Sequence, residues 1–253
     1  MNWYGCWTLY SRESRRFLNV KMQTIVAPAL TAVMYLIVFR YAMGDRQVPN
    51  LDVPYFDFLI PGLVMMAMMQ NAFANTSSSI MVGKLMNVQI FLMMAPLSAI
   101  EITIAFLAAA ITRAVVVAVV LLLVLAPFTN IHIEHLWMIL FYSITGSIIM
   151  GGMGMIAGMW SKTFDDMALL NNFIIIPLTF LSGVFYSVKQ LPETWQVVNH
   201  FNPFFYLIDG FRHGFLNVGD TDPSQAIAIV SIATLTTVFA CWKLWQTGWR
   251  LKD

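Results

Sequence analysis

Arg113 stands between Ala108-Ala109-Ala110 and Val115-Val116-Val117, in the middle of an apolar run. Hydrocarbon offers a guanidinium nothing, so it must pair, snorkel to an interface or face a wet cavity. Glu101 lies twelve residues earlier, about 18 Å along a helix axis, and is no direct partner; another helix or a second subunit must supply one. A structural pair and a role in transport are both open. A second polar group, Gln70, Asn71, Asn75, Ser78 and Ser79, sits inside another apolar run. The spacing of four and three places Asn71, Asn75 and Ser78 on one helical face. Buried amides need a partner, so this face either lines a path or binds helices together. Asn171 and Asn172, in a later run, are further candidates for a path lining.

Several chemistries are missing. No G-x-x-x-x-G-K-[ST] phosphate loop exists, so the chain does not bind ATP in that manner. His132 and His135 occur as His-Ile-Glu-His, not as H-E-x-x-H. Leu181-Ser182-Gly183 has no evident base, and an intramembrane enzyme is not expected. Cys6 and Cys241 make no metal or redox pattern.

The elements that hold these residues follow from composition. Of 253 residues, 59% are hydrophobic and 11% charged, with mean hydropathy +0.72. The 14 basic and 13 acidic side chains cannot clothe a soluble surface of this size. The chain reads as an all-α integral membrane protein; a soluble enzyme and a nucleic-acid binder are excluded. Six stretches reach the length needed to cross a bilayer: roughly 21–41, 56–81, 101–126, 136–160, 167–187 and 224–246. A further apolar segment, 201–216, is interrupted by Asn202, Pro203, Asp209 and Arg212 and reads as re-entrant or interfacial. With both termini on one side, that side collects Arg12, Arg15, Arg16, Lys21, Lys84, Lys162, Lys243, Arg250 and Lys252, against Arg40, Arg46, Lys189 and Arg212. The excess places both termini in the cytoplasm. The first run is too long for a signal-peptide core and is read as a retained span.

The N-terminal segment is amphipathic, with Trp3, Trp7, Tyr10 and Phe17 along one stripe and Arg12, Arg15, Arg16 and Asn19 along another. This suits a helix on the inner leaflet, arginines toward anionic lipid. In 82–100, Gly83 can end the second span, and Pro96 with Ser98 can restart the chain. The short Met-rich helix between them carries few charges. It either docks in a groove of a cytoplasmic partner or packs back on the membrane surface. Gly154 and Gly158 permit close helix approach. Pro177 should kink the fifth span, and Lys162-Thr163-Phe164-Asp165-Asp166 can cap it.

Three stretches carry a resemblance: Leu59-Ile60-Pro61-Gly62-Leu63, Lys162 to Asp166, and Pro177 to Tyr186 followed by Leu191-Pro192, Trp195, Asn202-Pro203, Tyr206, Asp209-Gly210 and Arg212. In this order they resemble the ABC-2 type permease family, bacterial stand-alone permeases and nodulation-factor exporters in particular, over nearly the whole chain. The resemblance implies one transmembrane domain over 1–253, residing in the bacterial inner membrane and exporting cargo. It implies a dimer of permeases with two copies of a separate ABC-type ATPase, which would hold ATP and Mg; this chain would bind no cofactor. Residues 3–19 and 84–96 would contact the ATPase, with Lys84, Leu85, Val88, Phe91, Leu92 and Pro96 as coupling residues. The segment 188–216 would close the path externally, Ser182, Gly183, Asn202, Pro203, Tyr206 and Arg212 forming the outer gate motif. The first and fifth spans would build the dimer face. Relatives move polysaccharides, lipo-oligosaccharides, drugs and lipids; the 14% aromatic share and the lack of a charged cavity suit an amphipathic or lipid-linked cargo. An ATPase-independent channel or carrier, or a membrane scaffold, are the competing classes.

Overall fold

The computed structural model describes residues 2–44, 46–49, 51, 53–128 and 133–250; His132 and Lys252 lie outside them. Among the described residues the chain is helical, with one isolated bridge, Gln47 to Pro54. Helices satisfy their own backbone, which hydrocarbon demands. Six are long and apolar enough to span: Met22–Met43, Tyr55–Leu85, Ala99–Phe128, Leu136–Trp160, Phe164–Leu181 and Pro223–Thr247. This is an all-α integral membrane protein.

Helix α1 (Trp3–Asn19) starts at Asn2, whose side chain accepts from the Gly5 N–H. Its buried face is Cys6, Leu9, Glu13 and Phe17. The expected aromatic stripe therefore splits: Phe17 packs inward while Trp3 and Trp7 stay exposed. Arg16 also departs from the lipid-facing expectation, because it is turned onto the second span. The first span opens with a π-helical turn, Met22–Val26, and continues as α2 (Ala27–Met43).

Helix α3 (Tyr55–Leu85) does not stop at Gly83. It runs to Leu85, and left-handed Asn87 (φ 56°) turns the chain into α4 (Val88–Met94). Ser98 then caps α5 (Ala99–Leu125) in a capping box with Glu101. Helix α6 (Leu136–Trp160) is the fourth span. A second capping box, Thr163 with Asp166, starts α7 (Phe164–Leu170). A π-helical turn, Asn171–Ile175, joins it to α8 (Ile176–Leu181), which carries Pro177. The fifth span ends there and not near residue 187. The Ser182 hydroxyl donates back to the Leu178 carbonyl at 2.6 Å, and Gly183 takes φ +73°, a conformation glycine adopts without strain.

After α9 (Glu193–His200) comes α10 (Pro203–Leu216), a single unbroken helix. The polar residues that seemed to interrupt it instead build it. Asn202 caps it, Pro203 sits where no N–H is needed, and Asp209 with Arg212 occupy one buried face. Helix α11 (Pro223–Thr247) is capped by Asp222 and ends at left-handed Gly248.

The second span is the hub, packed by α2, α5, α6 and α10. Apolar lipid gives helices little reason to associate, so small residues and polar contacts decide. A Cβ on Gly158 would lie 2.9 Å from the Ser77 carbonyl, and one on Gly154 would overlap the Phe73 carbonyl. Thr76 donates across to the Gly151 carbonyl at 2.6 Å.

Candidate functional site

A cavity of about 350 Å³ lies between the first, second, third and fifth spans, lined by Gln23, Tyr35, Gln70, Asn71, Arg113 and Asn171 among others. Gln23 and Tyr35 lie on one span, twelve residues apart, so the lining runs about 18 Å along that span's axis. Asn71 supplies the missing partner of Arg113. Nε and Nη2 of the guanidinium donate to Asn71 Oδ1 at 3.2 and 3.1 Å, and Asn71 Nδ2 donates to the Ala67 carbonyl at 3.0 Å. The second-span amide thus fixes the arginine and lines the cavity with it. A guanidinium on this wall overturns the expectation of an uncharged cavity.

Asn75 and Ser78 share Asn71's face but not its cavity. Arg16 holds both: Nη2 donates to the Asn75 carbonyl at 2.6 Å and to Asn75 Oδ1 at 3.2 Å, and Nη1 donates to Ser78 Oγ at 3.1 Å. Buried Glu13 in turn binds Arg16 at 3.1 Å and Arg12 at 2.8 Å. Asn171 lines the cavity and donates to Asn172, which itself is exposed. Gln23 and Tyr35 were not among the sequence candidates. A glutamine one turn into an apolar span was the signal for the first; nothing marks Tyr35 among eight tyrosines.

Tyr35 also joins an aromatic cluster at one end of the cavity. Phe185 lies 5.4 Å from Tyr35, 5.3 Å from Phe39 and 5.3 Å from Phe180, centroid to centroid. Tyr55 donates to the Phe185 carbonyl at 2.7 Å. Behind it the expected gate motif forms a hydrogen-bonded knot. Asn202 Nδ2 donates to the Leu178 carbonyl at 2.9 Å and to Ser182 Oγ at 2.8 Å. Arg212, wholly buried, donates to the Gly183 and Phe58 carbonyls at 2.7 and 3.2 Å and faces Asp209 at 3.8 Å. The Asp209 carboxylate accepts from the Asp220 and Thr221 backbone. Tyr206 donates to the His200 carbonyl, and Pro203 begins α10. Nearby, burial lowers the pKa of His213 below the ordinary imidazole value, and its Nδ1 has no hydrogen-bond partner among the described residues.

The opposite end carries both chain ends. Asn2 N–H donates to Glu101, and Arg250 donates to the Trp160 carbonyl at 3.2 Å. Burial, with the nearby Glu101 carboxylate, pushes the Cys6 thiol pKa up. A groove of about 810 Å³ runs between α1 and the start of the 82–100 loop, lined by Trp7, Arg12, Arg15, Arg16, Val82 and Met86 among others. Beside it, α4 turns Phe91 and Met94 outward, 72% and 78% exposed, and Leu85 and Val88 are exposed too. Leu92 is buried against α1 and α5 residues, and Pro96 accepts from Asn2. Lys84 turns inward: its ammonium donates to the Met159 and Ser161 carbonyls at 2.8 and 2.7 Å, a cation on the C-terminus of α6.

The inner membrane transport permease YadH of Escherichia coli K12 is 31% identical over 252 residues, covering 99% of this chain and 98% of that protein. Nodulation protein J of Rhizobium leguminosarum bv. viciae is 24% identical over 219 residues, 84% of this chain and 81% of that one. The profile of the ABC-2 type transporter family matches residues 4–216. The chain therefore belongs to the ABC-2 type transporter family, as a membrane transport permease subunit.

Proposed function

We propose that this permease works as a homodimer with two copies of a separate ABC-type ATPase and exports an amphipathic cargo, lipid-linked, glycan-bearing or drug-like, across a bacterial inner membrane. ATP and Mg reside on the ATPase, and both termini face the cytoplasm. The observation that carries the reading is α4. It presents Val88, Phe91 and Met94 to solvent at the end of the chain where α1 lies. An apolar helix of this kind wants a groove on a partner.

ATP draws the two ATPase subunits together, and α4 with α1 transmits that motion. Leu92 seats α4 on the α1–α5 contact, and Lys84 ties the end of the second span to the fourth. The cavity then opens alternately to either side. ATP supplies the differential affinity for the two states; this chain transmits it. Two π-helical turns, in the first and fifth spans, support those spans as the moving dimer face, since such turns cluster at functional sites. Exposed Gln23 and Asn172 on the same spans suit a face covered by protein and not by lipid.

Purification of the tagged chain from native membranes in a mild detergent, with mass spectrometry of what accompanies it, tests the reading. A stoichiometric ABC-type ATPase is expected. A clean permease after crosslinking in the membrane overturns the coupling role of α4.

A further inference from the structure

Resting on the reading of the cavity as the cargo path, we propose that Arg113 is an oxyanion-recognition residue: the cavity accepts the phosphate, sulfate or carboxylate of a cargo whose remainder is apolar.

Charge is the first argument. Arg113 is only 7% exposed, and among the described residues no carboxylate pairs with it; its hydrogen bonds go to the neutral Asn71 amide. A buried cation without a counter-ion is costly, and none of the other lining residues is charged. An anionic ligand supplies the missing charge. Donor count is the second. Both guanidinium bonds converge on one oxygen, leaving Nη1 without a hydrogen bond among the described residues. A guanidinium presents a planar fork suited to an oxyanion.

The approach is the third argument. The groove at the end carrying the chain termini is lined by Arg12, Arg15 and Arg16 with Glu13 as the acid among them. Arg16 touches Asn75 and Arg113 touches Asn71, one turn apart on α3, about 6 Å along its axis. The groove and the cavity share no lining residue, but their arginines sit one turn apart along α3, so an anion approaching from this end is drawn by cationic groups on both. A cationic cargo is repelled at both steps. A neutral one leaves the guanidinium uncompensated.

The test uses the full chain in a neutral maltoside detergent, with no ATPase and no nucleotide, so it stands or falls apart from the coupling reading. Ligand affinity is read from the rise in melting temperature with ligand concentration. Three probes are compared: dioctanoyl phosphatidic acid, dioctanoylglycerol and inorganic phosphate. Phosphatidic acid should bind, and dioctanoylglycerol, with the same chains and no charge, should bind about tenfold more weakly or worse. Arg113→Gln should lose about tenfold or more in phosphatidic acid affinity, with Arg113→Lys in between. Gln70→Glu places a carboxylate on the same wall, leaves Arg113 in place and should weaken binding likewise, whether or not Arg113→Gln folds. Arg113-dependent binding of inorganic phosphate would support the assignment with a free anion as ligand. Binding of phosphatidic acid alone would support it with a lipid headgroup. Equal binding of phosphatidic acid and dioctanoylglycerol, or wild-type affinity in Gln70→Glu, overturns it.

Discussion

The guanidinium of Arg212 lies over the Phe58 ring, 3.6 Å from its centroid, while its Nε donates to the carbonyl of the same phenylalanine at 3.2 Å. Its Nη2 reaches the Gly183 carbonyl at 2.7 Å. One side chain thus fastens α10, the first turn of the second span and the turn that ends the fifth. The expected gate motif is a clamp before it is anything else.

Arg212→Gln should therefore destabilise the protein by about 3–5 kcal/mol, the usual cost of breaking a buried pair. Arg212→Lys should recover little, because an ammonium lacks the planar fork that serves two carbonyls and a ring at once. Thermal melts in detergent check this; an unchanged melt for Arg212→Gln would show that the clamp is held elsewhere.

Gly154→Ala places a methyl group against the Phe73 carbonyl and Thr76 hydroxyl. Backbone cannot swing aside as a side-chain tip can, and overpacking of this kind costs about 1–3 kcal/mol. The measurement is again the melt, with a fall expected.

Phe91 and Leu92 are neighbours on α4 with opposite fates, 72% and 8% exposed. Phe91→Asp should leave folding unchanged within about 0.5 kcal/mol while ATPase co-purification drops about tenfold. Leu92→Asp buries a charge and should lower the yield of folded permease itself. Equal ATPase recovery from Phe91→Asp and wild type would argue against docking through this face.

His213 gives a pH dependence. Its folded-state pKa is depressed by burial, so the unfolded chain binds the proton more readily. The stability it contributes is complete above the ordinary imidazole pKa of about 6.5 and is lost as the pH falls toward the lower folded value. The His135 ring, stacked 6.3 Å away, works in the same direction on His213. Melting temperature should fall between pH 7.5 and 5.5, and fall less in His213→Gln.

Legibility in the sequence tracked the range of the interaction. The spans, the Ser98 and Thr163 caps and the crossing at Gly154 and Gly158 are local or single-helix patterns, and all appear in the structure. The end of the fifth span was misplaced because nothing local shows that the chain turns at Gly183, and what Asn202, Asp209 and Arg212 do in α10 depends on partners outside it. Arg16 was assigned to lipid on the same ground: nothing in the spacing of α1 announces Asn75, 59 residues away. Arg113 was recognised as needing a partner, and Asn71 was recognised as needing one; that they need each other is a tertiary fact.

The fifth span has 18 residues, so even upright it is about 27 Å long, a little short of a typical ~30 Å hydrocarbon core. Hydrophobic mismatch of this sign draws the leaflets together around the helix. The shortened wall is the one that carries Asn171, beside the cavity. Lipid that meets it in a lone permease bears a local compression that the other five spans, at 22 residues or more, do not impose, and pairing through the proposed dimer face removes it. Longer acyl chains raise that mismatch, so recovery of the proposed dimer should rise with acyl-chain length.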